Sequence, residues 1–147
     1  MNKHILVVDD DAHMRSMLQV VLESEAYVVD TASDGLIVLD KIVHQQAMPE
    51  IILLDLHMPR MNGLQLIEAL RQHEAACLDS IIVLSGDMDA LQQASRLGIR
   101  RCLTKPFDLE ALLELVSTCG VECVNLTGCF ASHEAAGACY HCSGFSL

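Results

Sequence analysis

At 147 residues, 52% of them apolar, the chain is long enough to bury the core of one domain and too apolar to be a largely disordered one. Nine Lys and Arg against 20 Asp and Glu give a formal charge of −11, which argues against direct nucleic-acid binding and suits a cation site or a basic protein partner. No apolar run approaches the roughly 20 residues of a membrane span, and the N-terminus lacks the apolar region and cleavage site of a signal peptide.

The expectation is therefore a cytoplasmic chain with no membrane contact, whose seven cysteines are reduced thiols. Aromatic residues make up only 3%, so the core must be aliphatic. In chain order, Ile5-Leu6-Val7-Val8 has the length and composition of a buried strand and is followed by acids. Met14, Met17, Leu18, Val21 and Leu22 then recur at helical spacing. Tyr27-Val28-Val29 is the second strand candidate, and Val38, Leu39, Ile42 and Val43 mark a second helix. Ile51-Ile52-Leu53-Leu54 is the clearest buried strand, and Asp55 ends it. Pro59 and Asn62-Gly63 mark a loop before a helix carrying Leu66, Ile67 and Leu70.

Ile81-Ile82-Val83-Leu84 is a fourth strand, followed by a helix with Ala90, Leu91, Ala94 and Leu97 that Gly98 closes. Arg101-Cys102-Leu103-Thr104 is a fifth, weaker strand. Asp108 then caps a last helix with Leu109, Leu112, Leu113 and Val116. Five strand–helix units in alternation predict an α/β fold, a doubly wound parallel sheet with helices on both faces. From Cys119 the periodicity fades into Cys, Gly, Ala, Ser and His, which divides the chain into a domain at 1–118 and a flexible tail at 119–147.

The polar residues fall where the strands end. Asp9, Asp10 and Asp11 follow the first, Asp55 the third, Ser85 the fourth and Lys105-Pro106 the fifth. Each has an ordinary reading taken alone. Acids before a helix cap it and favour its dipole, the better account of Asp11, and a single Asp or Ser after a strand is usually a turn residue. Together they matter more, because the carboxyl ends of a parallel sheet form its ligand crevice. Carboxylates gathered there resist ionising together unless a cation neutralises them, and magnesium takes one or two carboxylates with waters and phosphate oxygens. A carboxylate can act as a nucleophile towards phosphorus while the metal and an ammonium offset charge on the moving group.

The stretches ILVVDDD (5–11), PEIILLDLHMPRMNGL (49–64), VLSGD (83–87) and LTKPF (103–107) carry a family likeness. Residues 3–118 resemble the receiver domain of two-component response regulators of the single-domain chemotaxis and sporulation type. The resemblance implies a five-stranded flavodoxin-like sheet of order 2-1-3-4-5. It also implies a signalling phosphoacceptor that promotes its own phosphoryl transfer and hydrolysis, rather than an enzyme acting on a separate substrate. By the same resemblance Asp55 is the phosphoacceptor. Asp10 and Asp55 ligate Mg2+ with Asp9 in support, and the backbone carbonyl of His57 is the third protein ligand. Ser85 is the switch hydroxyl, Lys105 the phosphoryl-binding ammonium, and Lys105-Pro106 a cis peptide. The implied donor is a histidine kinase or a histidine phosphotransfer protein, and the output is a contact with a protein target. The family usually has an aromatic residue or His as a rotating switch three residues before the Lys. That position is Cys102 here, which predicts a weaker switch movement.

Two other readings compete. A haloacid-dehalogenase-type phosphatase would use Asp9 and Asp11 after the first strand with Ser85 and Lys105 later, but it leaves Asp55 without a role. A non-phosphorylated interaction module of the same fold would be expected to have lost an acid or the Lys. In the tail, Cys119, Cys123, Cys139 and Cys142 have zinc-like spacing, with His133 and His141 among them. The expectation is a flexible segment without stoichiometric zinc, because small residues and few large apolar groups offer little core.

Overall fold

Short runs of Ile, Leu and Val surrounded by amphipathic helices build the sheet. A computed structural model describes residues 2–45, 48–73 and 78–119. The elements run β1 (His4–Val8), α1 (Ala12–Ser24), β2 (Val28–Ala32), α2 (Gly35–Gln45), β3 (Ile51–Asp55) and α3 (Gly63–Arg71). A 3-10 turn (Leu78–Ser80) leads into β4 (Ile81–Ser85), then α4 (Met88–Arg96), β5 (Arg101–Thr104) and α5 (Leu109–Thr118). Every strand pairing is parallel and the sheet order is β2-β1-β3-β4-β5, the expected topology.

Successive side chains of a strand point to opposite faces, so each strand feeds two cores. Leu6, Val8, Ile52, Leu54, Ile81 and Val83 pack on one face with Ile42, Leu66, Leu70 and Leu91 from α2, α3 and α4. Ile5, Val7, Ile51, Leu53, Ile82 and Leu84 pack on the other with Leu18, Leu22, Leu112 and Val116 from α1 and α5. Every residue of β3 and β4 is buried, whereas edge strand β2 exposes Val28 and Asp30. That difference leaves β2 with the weaker apolar signature in the sequence. Its ladder with β1 carries it to Ala32, beyond the apolar run at 27–29.

Asp11 caps α1 as expected, accepting from the N–H groups of His13 at 2.9 Å and Met14 at 3.4 Å. Gly98 closes α4 with a φ of +105°, a value glycine adopts without a Cβ clash. Asp108 occupies the cap position of α5 without a side-chain hydrogen bond. Asn62-Gly63, expected as loop, instead starts α3. The Asn62 side chain accepts from the Gln65 N–H while the Gln65 side chain accepts from the Asn62 N–H, a capping box that turns a loop signal into a helix start.

Two cysteines depart from expectation. Cys119, the first residue of the expected tail, is fully buried beside Leu115 and Val116, its thiol donating to the Asp79 carbonyl at 3.3 Å. Packing therefore runs one residue past 118. Cys102 is buried in the α2–α4 layer and is disulfide-bonded, against the expectation of reduced thiols. A compartment sets redox poise, but geometry decides which sulfurs meet. The remaining tail expectations, at 120–147, lie outside the described residues. Among the described residues no helix is long and apolar enough to cross a membrane.

Two glycines give a paired test. A Cβ on Gly63 would lie 2.5 Å from the Asp55 carbonyl oxygen and 2.8 Å from the Leu56 Cα, whereas one on Gly86 would meet nothing closer than 3.6 Å. Gly63→Ala should destabilise the fold by about 1–3 kcal/mol, the cost of overpacking against backbone. Gly86→Ala should be neutral or slightly stabilising, as for a glycine in compatible backbone. Chemical denaturation of both variants checks this, and equal midpoints would contradict it.

Candidate functional site

The polar strand ends converge. Asp9 leaves β1 buried, and its Oδ1 accepts the Asp11 N–H at 2.9 Å while its carbonyl accepts from the Arg15 guanidinium at 2.6 Å. Val8 pairs with Leu54 across β1 and β3, which sets Asp9 beside Asp55. Single carboxylate oxygens of Asp9, Asp10 and Asp55 lie within 4.8 Å of one another; Asp10 faces solvent and the other two are buried. Lys105 reaches in from the end of β5, with Nζ 3.0 Å from Asp9 Oδ2 and 3.6 Å from Asp55 Oδ1. The ammonium is anchored by its own backbone, because the Lys105 N–H donates to the Ser85 carbonyl at 2.9 Å. The Lys105-Pro106 peptide is cis, as expected.

Formal charge shows what such a site can hold. Three carboxylates, two of them buried, and one ammonium (−3 + 1) leave −2 in the cluster. Burial, and next the neighbouring Asp9 carboxylate, push the Asp55 carboxyl up from its ordinary value, although Lys105 pulls the other way. Oxygen donors, a residual charge of −2 and an exposed rim at Asp10 fit a hard divalent cation that keeps several waters, which describes magnesium. Asp9, Asp10 and Asp55 are the side chains that could hold it.

The loops around this cluster are cross-tied. The His57 N–H donates to Asp55 Oδ1 at 3.3 Å, and the His57 ring Nε2 lies 3.1 Å from Asp87 Oδ2. Ser85 is buried, and its Oγ accepts the Asp87 N–H at 3.1 Å. Asp87 caps α4 through the N–H groups of Asp89 and Ala90. The Ala90 N–H foremost, joined by Asp89 and the His57 ring, holds the Asp87 carboxyl below its ordinary value.

Of the eight sequence-predicted site residues, Asp9, Asp10, Asp55, His57, Ser85 and Lys105 thus gather at the carboxyl edge of the sheet, with Pro106 following Lys105 in the cis peptide. Cys102 does not join them, since it faces the α2–α4 layer opposite Val83. Sequence reading passed over Asp34, Arg60 and Asp87. Asp34 and Asp87 each stand just before a helix, so cap preference could have flagged them. Nothing local announces that Asp34 pairs with Arg60, 26 residues away.

Residues 5–117 match the family described as Response regulator receiver domain. The chain belongs to that family. The receiver is 30% identical over 116 residues to Sporulation initiation phosphotransferase F of Bacillus subtilis, covering 79% of this chain and 92% of that one. It is 25% identical to Chemotaxis protein CheY of Halobacterium salinarum, covering 80% and 96%. Among solved structures, the chemotaxis response regulator CheY4 of Vibrio cholerae superposes with a TM-score of 0.71 at 30% identity, over 80% of this chain and 98% of that one. A receiver domain from Bermanella marisrubri gives 0.69 at 39% identity, over 80% and 97%. The receiver is accordingly a phosphorelay response regulator of a two-component system. Nothing favours the phosphatase reading, because the Asp11 carboxylate it requires is taken up in capping α1.

The raised Asp55 carboxyl fixes a sign. The folded receiver binds that proton more tightly than the unfolded chain does, so the contribution to stability is complete below the ordinary carboxyl range. It is lost as pH rises through the raised folded value. At neutral pH and without metal, ionised Asp55 therefore opposes folding. Asp55→Asn should raise the metal-free melting temperature, by about 4 °C for each 1 kcal/mol of charge penalty it removes in a domain of this size. The gain should vanish below the ordinary carboxyl range. A variant that melts lower at neutral pH would show that the charge is already compensated.

Proposed function

We propose that Asp55 is the phosphoacceptor, that Asp9, Asp10, Asp55 and the His57 carbonyl hold Mg2+, and that Ser85 and Lys105 bind the phosphoryl group. One observation carries this reading: Lys105 stands between two buried carboxylates, one of which ends a fully buried central strand. Magnesium, when bound, supplies positive charge opposite the oxygens of the transferring group. An Asp55 carboxylate oxygen attacks phosphorus in line. The bond from phosphorus to the donor's imidazole nitrogen breaks, and an aspartyl phosphate forms. Lys105 then exchanges part of its contact with Asp9 for a phosphoryl oxygen. Ser85 turns its hydroxyl towards the new group, and the Asp87 N–H that now bonds its Oγ passes the change to the start of α4. This route gives α4 the main readout and Cys102 a minor one.

The donor in this reading is a histidine kinase or histidine phosphotransfer protein. An apolar hollow of about 430 Å³ beside Lys105, lined by Met14, Met17, Pro106, Phe107 and Leu109, suits an apolar patch next to a donor histidine. The output is a protein contact rather than nucleic acid, in keeping with the charge of −11.

Incubation with acetyl phosphate and magnesium should add one phosphoryl group, read by intact mass, and Asp55→Asn should take none. Full labelling of Asp55→Asn would remove the assignment. Millimolar magnesium should raise the melting temperature of the wild type by mass action, and by clearly less in Asp10→Ala. Equal shifts in the two proteins would place the cation elsewhere.

A further inference from the structure

The segment joining β3 to α3 is fastened at a point that phosphoryl chemistry does not use. Arg60 sits in that loop with φ at +64°, a left-handed conformation uncommon for a residue with a side chain. Its guanidinium donates to Asp34 Oδ2. Asp34 is 2% exposed, and its other oxygen accepts the N–H groups of Leu36 at 2.8 Å and Ile37 at 3.1 Å in the first turn of α2. Burial pushes the Asp34 carboxyl up, but Arg60 and these N–H groups outweigh it and hold the group ionised, below its ordinary value. The next loop residue docks on the same turn, since the Gly35 N–H donates to the Met61 carbonyl at 3.2 Å. The fit is close enough that a Cβ on Gly35 would lie 2.8 Å from Met61 Cγ and 2.9 Å from Met61 O.

Residues 60 and 61 are thus pinned to the start of α2, and the far end of the loop is pinned to its first residue by the Gly63 N–H on the Leu56 carbonyl at 3.0 Å. His57 lies within the span these pins control, and Asp55 immediately precedes it at the end of β3. We propose that Asp34 and Arg60 are positioning residues for the cation site. The buried carboxylate at the start of α2 holds Arg60, and through it the loop that follows Asp55 and bears the His57 carbonyl, in the geometry that accepts magnesium. This inference rests on the magnesium-dependent reading above.

Charge alone makes a different forecast, which makes the proposal testable. Removing the Arg60 cation leaves the neighbourhood more negative and, by electrostatics, should tighten a cation. Removing the Asp34 anion should loosen one. A positioning pair instead makes both changes weaken binding. The variants are Asp34→Asn, which keeps an oxygen for the α2 cap, Arg60→Gly, which relieves the left-handed φ, and Arg60→Lys, which keeps the charge.

The metal-free full chain would be titrated with magnesium chloride by calorimetry, at a temperature where circular dichroism shows each variant folded. The expected result is a loss of magnesium affinity of about tenfold in both Asp34→Asn and Arg60→Gly, the scale seen when a partner that orients metal ligands is removed. The double variant should be no worse than either single one, and Arg60→Lys should recover part of the loss. Arg60→Gly binding magnesium as tightly as wild type or tighter would overturn the proposal. So would lower melting temperatures with unchanged affinity, which would leave the pair a purely structural role. A wild type that takes no magnesium would instead remove the reading of the site itself, and this inference with it.

Discussion

Lys105 Nζ lies 3.0 Å from Asp9 and 3.6 Å from Asp55, one ammonium between two buried carboxylates. Removing charges from water is costly unless opposite charge is close, and here the compensation is incomplete. Asp9 is the better paired of the two, by distance and by the Asp11 N–H on its other oxygen. Asp55 keeps the deficit, and its raised carboxyl records it. The receiver carries at Asp55 a buried carboxylate whose charge is only partly balanced. The cluster is therefore not arranged for maximum stability of the empty protein.

The sheet can carry this arrangement because everything beneath it is apolar. From Ile51 to Leu54 and from Ile81 to Leu84 no polar side chain interrupts either layer. Chemistry appears only at Asp55 and Ser85, where the strands run out of packing. Parallel register then does the alignment. Val8 opposite Leu54, Asp55 opposite Leu84 and Ser85 opposite Thr104 bring four strand ends to one edge. A slip of one residue would turn Asp55 to the other face of the sheet and break both cores at once, so aliphatic packing enforces the alignment of these strand ends.

Two ties hold the loops above that edge, and they differ in kind. His57 to Asp87 is exposed on both sides, screened by water and easily exchanged. Asp34 to Arg60 ends on a buried carboxylate that also caps a helix. The first holds its segment loosely, and the second fixes its segment to the buried start of α2. The loop after β3 is thus tied to a buried group and the loop after β4 to an exposed one, with Lys105 between them.

The sequence by itself determined the alternation of elements, their faces and the residues at the strand ends. Aliphatic runs of strand length and helical spacing of Leu, Ile and Met are local patterns, and no tertiary contact was needed to read them. The motifs around Asp9, Asp55, Ser85 and Lys105 were legible for the same reason, since each is a short unit of strand end and loop. Where local signals pointed two ways, the tertiary structure decided. Asn62-Gly63 reads as a turn until Gln65 folds back to complete a cap. Val28 to Ala32 becomes a strand only through its ladder with β1. Cys119 reads as tail until α5 carries it into the core. The pairing of Asp34 with Arg60 and of His57 with Asp87 spans 26 and 30 residues. Such contacts depend on where the sheet places separate loops, and a one-dimensional pattern holds no record of that distance.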